Sequence, residues 1–358
     1  MLPGKNPSSL LGVVNPRNIL ERLQRVTRRG SPGSIGLMAR EGTPKDFVGC
    51  RALLARFRAA YAGDEWRALP EVWQALAARG GMQLCVVEDR AQAVNRQIVS
   101  FSITVFATDQ FCSEAKLALG PFLGAQIVRR YCRQNIPILD RKQIARANAG
   151  SGLNVVLCFA ARKDDGLSDE QILAVREKQT EAFFLCHRGY RLKEFLADAI
   201  GDTALERKLD SGARLRRQYS CYFRSRGLEL PDASLRPRLV GLTKEEARAN
   251  PGSLLSSLFV HTPPKFRFSD SEQLLLQHAM MGETTEELAA SLVISLSTVK
   301  KRWRAIYGRV ADIDPQLLGN PAADGPNERS RGAEHRRHLL YYLRQHPEEL
   351  RPFSPGNL

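Results

Sequence analysis

No stretch of this sequence approaches the roughly eighteen consecutive apolar residues that a membrane-spanning helix needs, so bilayer insertion is not expected. The first 29 residues carry lysine and arginine but no continuous apolar core of the signal-peptide kind, and export is not expected either. Cysteine is sparse: the seven at 50, 85, 112, 132, 158, 186 and 221 leave no pair with the short gap of a zinc knuckle. An odd, scattered set also argues against a disulfide framework. Several sit in apolar runs, as in Leu84-Cys85-Val86-Val87 and Val156-Leu157-Cys158-Phe159, where a thiol behaves as a small hydrophobe. The expectation is a reducing, cytoplasmic protein without metal, cofactor or membrane partner. No internal repeat is visible.

Acidic residues are the minority charge. Against 38 Asp and Glu stand 53 Lys and Arg, a net charge of +15, which favours an acidic polymer or anionic surface as partner. The surplus becomes an argument only where it falls on an element shaped to use it. With 43% hydrophobic and 25% charged residues the composition is that of an ordinary globular protein, and 358 residues suggest two domains.

Residues 1–35, rich in Pro, Gly, Ser and Arg and with one short helix at Asn18 to Arg28, read as a mobile leader. Residues 36–225 read as one mixed α/β domain, a sensor or interaction module. It opens on the apolar run from Ile35 to Ala39. Thr43-Pro44 then signals a helix running to about Tyr61, and a second helix is expected at Glu71 to Arg79. Strands follow at Met82 to Glu88 and Gln97 to Thr108, the latter alternating Phe101, Ile103 and Val105 against Ser102, Thr104 and Phe106 as a half-buried strand does. A helix at Gly124 to Cys132, a doubly buried strand at Leu153 to Ala160, a helix opened by Ser168 and running to His187, and a strand at Tyr219 to Phe223 complete it. Residues 226–264 hold five prolines, at 231, 237, 251, 263 and 264, and read as a semi-rigid linker with a short helix at Lys244 to Ala249. Residues 312–358 read as a second linker and a last helix at about Ala333 to His346.

The segment 265–311 is all-helical in pattern. Ser269 N-caps a helix that buries Leu275, Leu276 and Ala279 and that Gly282 ends. The next helix turns Leu288, Ala289 and Leu292 inward, and Val293-Ile294 makes a turn. A third helix, from about Ser297 to Val310, carries Val299, Trp303 and Ile306 on one face and Lys300, Lys301 and Arg304 on or near the other. A scaffold helix, a short turn and a basic helix are the layout of a helix-turn-helix. From Phe268 to about Tyr307 the run resembles, without gaps, the LuxR-type (GerE) helix-turn-helix of bacterial regulators, at Glu272, Gly282, Glu287-Leu288-Ala289, Leu292, Ile294-Ser295 and Ser297-Thr298-Val299-Lys300. It departs at Asp270, where that family usually has proline, and at Arg302, where it has histidine. The resemblance implies that Lys300, Lys301 and Arg304 enter the major groove of double-stranded DNA, while Ser295, Ser297, Thr298 and Arg302 hold the sugar-phosphate backbone. Dimerisation in that family uses a helix just after the recognition helix. Here Asp312-Ile313-Asp314-Pro315 interrupts that stretch, so a homodimer stays open, and the last helix either replaces that interface or covers its own chain.

The element order in residues 36–225 loosely resembles a GNAT-type acyltransferase, in which a glycine-containing loop opening a helix binds the cofactor pyrophosphate. Neither Arg146 to Gly152, which leads into a strand, nor Gly120 to Ala125 fits that loop well. Cys186 and His187 are helix neighbours about 100° apart and read as a partly buried thiol and a surface imidazole. Asp164, Asp165, Asp169 and Glu170 read as a solvated loop and a helix start rather than as metal ligands. No receiver-domain phosphoacceptor pattern is present. With no catalytic constellation visible, the expectation is a non-enzymatic, sequence-specific transcriptional regulator whose α/β domain has an unidentified small-molecule ligand. The alternative is an acyltransferase fused to a DNA-targeting module.

Overall fold

Apolar and β-branched runs form seven strands: β1 (Leu37–Glu41), β2 (Met82–Asp89), β3 (Ile98–Ala107), β4 (Leu153–Arg162), β5 (Leu192–Ile200), β6 (Arg214–Gln218) and β7 (Pro237–Thr243). In this computed structural model, which describes residues 36–93, 97–163, 165–319 and 328–354, they make one sheet in the order β1-β2-β3-β4-β5-β7-β6. The expected leader and its helix lie outside the described residues. Every neighbouring pair is antiparallel except β4 and β5, which run parallel because the long helix α6 (Asp169–His187) carries the chain back between them.

Helices cover both faces. On one side α1 (Phe47–Leu54), α2 (Gly63–Ala78) and α4 (Leu123–Cys132) bury a core in which Trp73 meets Phe47, Phe101 and Phe159 edge-on, at centroid distances of 5.5, 6.1 and 5.4 Å. On the other, α6 lies across β1 to β3, while the 3-10 turn Leu254–Phe259 closes a second core with Phe106, Phe184, Tyr190 and Phe195. The helices α3 (Asp109–Leu117), α5 (Arg141–Ala149), α7 (Asp202–Asp210), α8 (Ser220–Ser225) and α9 (Lys244–Ala249) fill the connections.

Several expectations need correction. The strand β3 is buried along both faces, because α6 covers the side that reads as polar; there Thr104 Oγ1 meets His187 Nε2 at 2.7 Å. His187 is therefore not a surface residue but 2% exposed, its Nδ1 2.6 Å from the Phe183 carbonyl, and burial lowers its pKa to about 4. The expected strand at Tyr219 to Phe223 is the helix α8, and the strand lies just before it. The expected linker 226–264 holds β7, paired on both sides in the sheet with Pro237 as its first residue, where a missing N–H is tolerated. The second helix starts at Gly63, ahead of its internal Pro70.

The chain then forms α10 (Asp270–Met280), α11 (Thr285–Ser291), α12 (Leu296–Ile313) and α13 (Glu328–Gln345). Reciprocal capping boxes open the first two, Ser269 with Glu272 and Thr284 with Glu287. Their core includes Leu275, Leu276, Leu288, Val299, Ile306, Leu339 and Leu343, so α13 covers its own chain.

A returning segment, 347–354, joins the two regions. The Glu349 carboxylate accepts the backbone N–H groups of Lys265 and Phe266 at 2.8 and 2.9 Å. Gln273 donates to the Arg351 carbonyl at 3.0 Å, and the Arg351 guanidinium donates to the carbonyls of Leu185 and Arg188, both at 3.2 Å, around the C-terminus of α6. Asn148 holds the Pro352 carbonyl at 2.9 Å. Gly189, at φ +90°, lets the segment pass, since a Cβ there would stand 2.5 Å from the Glu348 Cα.

Candidate active site and nucleic-acid interface

The parallel pair opens like a wedge. Its register runs from Leu153 opposite Leu192 to Leu157 opposite Ala197 and then stops, while β5 stays paired to β7 as far as Ile200 opposite Pro237. Residues 159–162 of β4 thus keep their ladder to β3 but have no β5 partner. The opening coincides with a bulge: Ile103 faces Phe159 and Thr104 faces Leu157, so Cys158 faces no one. Bulges of this kind re-aim backbone and side chains beside functional sites.

Four polar side chains converge at the apex. Strand alternation puts Asp198 on the same face as Leu196, which packs in the core that also holds Cys158, Tyr61 and Tyr219. Asp198 Oδ2 accepts the Leu123 N–H at the start of α4 at 2.6 Å, while its buried Oδ1 has no partner among the described residues. Burial raises this carboxyl from 3.8 to about 7, against the opposing pull of the Leu123 hydrogen bond and the Lys208 charge. The buried Tyr219 hydroxyl likewise has no hydrogen-bond partner among the described residues, and burial together with the Asp198 charge keeps the phenol protonated. Tyr61 is held protonated in the same way, by burial first and then by Cys158 and Asp198. Cys158 donates to the Ile103 carbonyl at 3.2 Å, and burial pushes its thiol up, so it is no nucleophile. Gly124 permits this closure: a Cβ on it would lie 2.4 Å from the Cys158 carbonyl oxygen.

Behind the apex lies a cavity of about 500 Å³ between β4, α6 and α7. The cations that line it are Arg56, Arg162, Arg176, Arg207 and Lys208. Burial lowers the Lys208 pKa to about 8. The N-terminus of α6 is not free to take an anion, because Ser168 and Gln171 cap it reciprocally and Asp169 and Glu170 occupy its first turn. Arg146 to Gly152 ends the helix α5 and opens none. Cys186 packs against Cys85 and Ala182 in a separate apolar cluster, away from the apex. Among the described residues no group of His, Cys, Asp and Glu could hold a metal ion, and no helix is long and apolar enough to cross a membrane.

The residues expected at DNA lie together on α12. Lys300, Lys301 and Arg304 are exposed and Arg302 is half-buried, while Val299, Trp303 and Ile306 face the core. Ser295 is the N-cap of α12, its Oγ accepting the Thr298 N–H at 3.2 Å and lying 2.8 Å from the hydroxyls of both Ser297 and Thr298. Trp303 stacks on Tyr307 and under the Arg336 guanidinium, in keeping with a packing role. The helix runs on to Ile313 rather than stopping near Val310.

No family model and no curated protein matches the chain. Solved structures resemble the α/β region: a Desulfovibrio desulfuricans protein assigned to the GNAT family of acetyltransferases (10% identity, TM-score 0.30), a Streptococcus agalactiae acetyltransferase (12%, 0.32) and the C-terminal condensation domain of Ebony with beta-alanyl-dopamine (12%, 0.32). Each match covers 58% of this chain and 98% of the other. At such scores the likeness is descriptive, and the chemistry has to be read from the wedge itself. The expectation of a non-enzymatic chain is corrected on the finding that similar structures are named as acetyltransferases; what the fold itself shows is that Asp198, Tyr219 and Tyr61, scattered in the sequence, lie together at the apex. Sequence reasoning missed Asp198, Tyr219 and Tyr61, which are far apart in the chain and carry no motif.

Proposed function

We propose that the α/β region transfers an acyl group from a thioester to an amine or hydroxyl acceptor, and that the helical region brings this activity to duplex DNA. One observation carries the first half: an unpaired strand edge opens beside a buried carboxyl that titrates near neutrality. Free backbone groups of an extended strand bind an extended, amide-bearing arm as they would another strand. Cations along the cavity suit phosphates on that arm. Such a donor, coenzyme A in the simplest case, supplies an activated acyl carbonyl on sulfur.

The chain's own groups handle the protons. Asp198 Oδ1, which has no competing partner, takes the proton that the acceptor nitrogen or oxygen loses as it bonds to the acyl carbon. The carbon–sulfur bond breaks, and the Tyr219 phenol gives its proton to the departing sulfur, so an amide or ester and a free thiol result. Each such proton transfer contributes about 10²- to 10⁴-fold in rate. Release of coenzyme A thiol from an acyl-CoA panel, measured with a thiol reagent, tests the reading alongside melting of the full chain. No thiol release with any acceptor and no melting shift at saturating coenzyme A would refute it.

The second half rests on the three exposed cations of α12, set opposite its buried face. A cationic helix of this shape fits the major groove, with Lys300, Lys301 and Arg304 at base edges or phosphates and Ser295, Ser297, Thr298 and Arg302 at the backbone. An acyltransferase at DNA has acceptors at hand among the lysines of its own chain and of neighbouring DNA-bound proteins. Selection of bound duplexes from a random pool tests this half. Enrichment of no sequence at physiological salt would leave the helices a structural appendage.

A further inference from the structure

One stripe of α7 and its C-cap lines the cavity behind the wedge: Ala204, Arg207, Lys208 and Ser211, at the three- and four-residue spacing of a single helix face. Lys208 has no acid to pair with on its own helix. The residues three and four positions away are Ala204, Leu205, Ser211 and Gly212, while Asp202, Glu206 and Asp210 follow a ridge of their own. Nor does any described residue hold its ammonium in a hydrogen bond or ion pair, although the side chain is half-buried. The Asp198 carboxylate acts on the Lys208 charge and is acted on in return, which sets the amine within electrostatic reach of the apex. The other cations that line the cavity are arginines, which stay charged, whereas a lysine can shed its proton and become a nucleophile. Burial favours that neutral form and brings the Lys208 pKa down to about 8. At pH 8 about half of the amine is then free, against roughly one part in 250 for a lysine in water.

We propose that Lys208 is itself an acyl acceptor, a modification site at which the chain takes one acyl group from the thioester bound beside it. The proposal rests on the acyl-transfer reading for its donor and on the cavity face of α7 for its acceptor. The Lys208 nitrogen bonds to the acyl carbon, and the carbon–sulfur bond breaks. Asp198 takes the proton that the nitrogen sheds, Tyr219 protonates the departing sulfur, and exchange with water returns both groups to their starting forms. The products are an Nε-acyl-lysine and a free thiol. Because the amide is uncharged, the cavity loses one of its cations.

The test incubates the full chain at pH 8 with each thioester of an acyl-CoA panel and no added acceptor, and reads intact mass, peptide map and thiol release. One acyl group per chain is expected on Lys208, about tenfold or more ahead of every other lysine, with one equivalent of thiol. It should be lost in a Lys208→Arg variant of unchanged melting profile and slowed about 10²-fold or more in Asp198→Asn. Acetic anhydride, which acylates free amines without any help from the protein, should label Lys208 ahead of the solvent-exposed lysines. Thiol release to an added amine while Lys208 stays unmodified would overturn the proposal and leave acyl transfer standing. If no thiol is released with any acceptor and no lysine is acylated, the acyl-transfer reading falls and takes the proposal with it. Acyl groups spread evenly over many lysines, or a Lys208 acylated as fast in Asp198→Asn, would be the solution chemistry of a reactive amine and overturn it equally. A Lys208 that the anhydride labels no faster than exposed lysines removes the free amine on which the proposal stands.

Discussion

The Asp198 carboxyl makes stability and chemistry depend on pH in opposite senses, and Asp198→Asn separates the two. In the folded protein burial raises this group from 3.8 to about 7, so the neutral form is the one the fold prefers. A group whose folded pKa is raised contributes stability that is fully present below its unfolded value and is lost as pH rises through the folded value. The window is therefore about pH 4 to 7. At about 1.4 kcal/mol per pH unit the displacement sets an upper limit of roughly 4 kcal/mol. Water reaching the wedge and the effective interior dielectric cut that to roughly 1–3 kcal/mol. Asparagine has the same shape, still offers an oxygen to the Leu123 N–H and never ionises. Urea denaturation of both proteins at pH 4.5 and 8 gives the difference directly, because every other titrating group cancels. The variant should gain on the native protein by that amount between the two pH values. Thiol release by the native chain should rise with pH through about 7, and in the variant it should fall by about 10²- to 10⁴-fold. Parallel stability profiles of the two proteins would refute the raised carboxyl. A variant with native activity would refute its role as base.

Other outcomes depend on the same geometry. Gly124→Ala places a Cβ 2.4 Å from the Cys158 carbonyl oxygen and must push α4 off the apex; a loss of about 1–3 kcal/mol in urea and a larger loss of thiol release are expected. Arg351→Met removes the side-chain donor to the Leu185 and Arg188 carbonyls, costing about 1–3 kcal/mol and speeding proteolysis between the α/β and helical regions. Lys300→Ala and Lys301→Ala should each weaken binding to a selected duplex and lower the salt slope by about one, read by fluorescence anisotropy from 50 to 200 mM salt; unchanged affinity in both would remove α12 from the groove.

What the sequence reveals depends on how local each signal is. The caps of α10 and α11 are local: Ser269 with Glu272 and Thr284 with Glu287 stand three residues apart, and both boxes form in the structure. The apolar run of β4 is local too. By contrast β5 reads Leu-Lys-Glu-Phe-Leu-Ala-Asp-Ala-Ile, rich in good helix formers, and becomes a central strand only because β4 and β7 flank it. The strand β6, Arg-Leu-Arg-Arg-Gln, looks like a solvated charge run because it is an edge strand, where basic side chains guard an open ladder. Proline at the first position of β7 mimics a linker. The apex obeys the same rule. Asp198 sits in the strand whose local preference is helical, and Cys158 is singled out by a bulge that depends on a strand about fifty residues away. Tyr61 and Tyr219 reach them from distant parts of the chain. A site built from such positions is held by tertiary contacts rather than by local propensity. Loosening α4 or the β4–β5 wedge should therefore abolish the chemistry well before it unfolds the chain, whereas α12, set by its own caps and core, should keep its cationic face through the same perturbation.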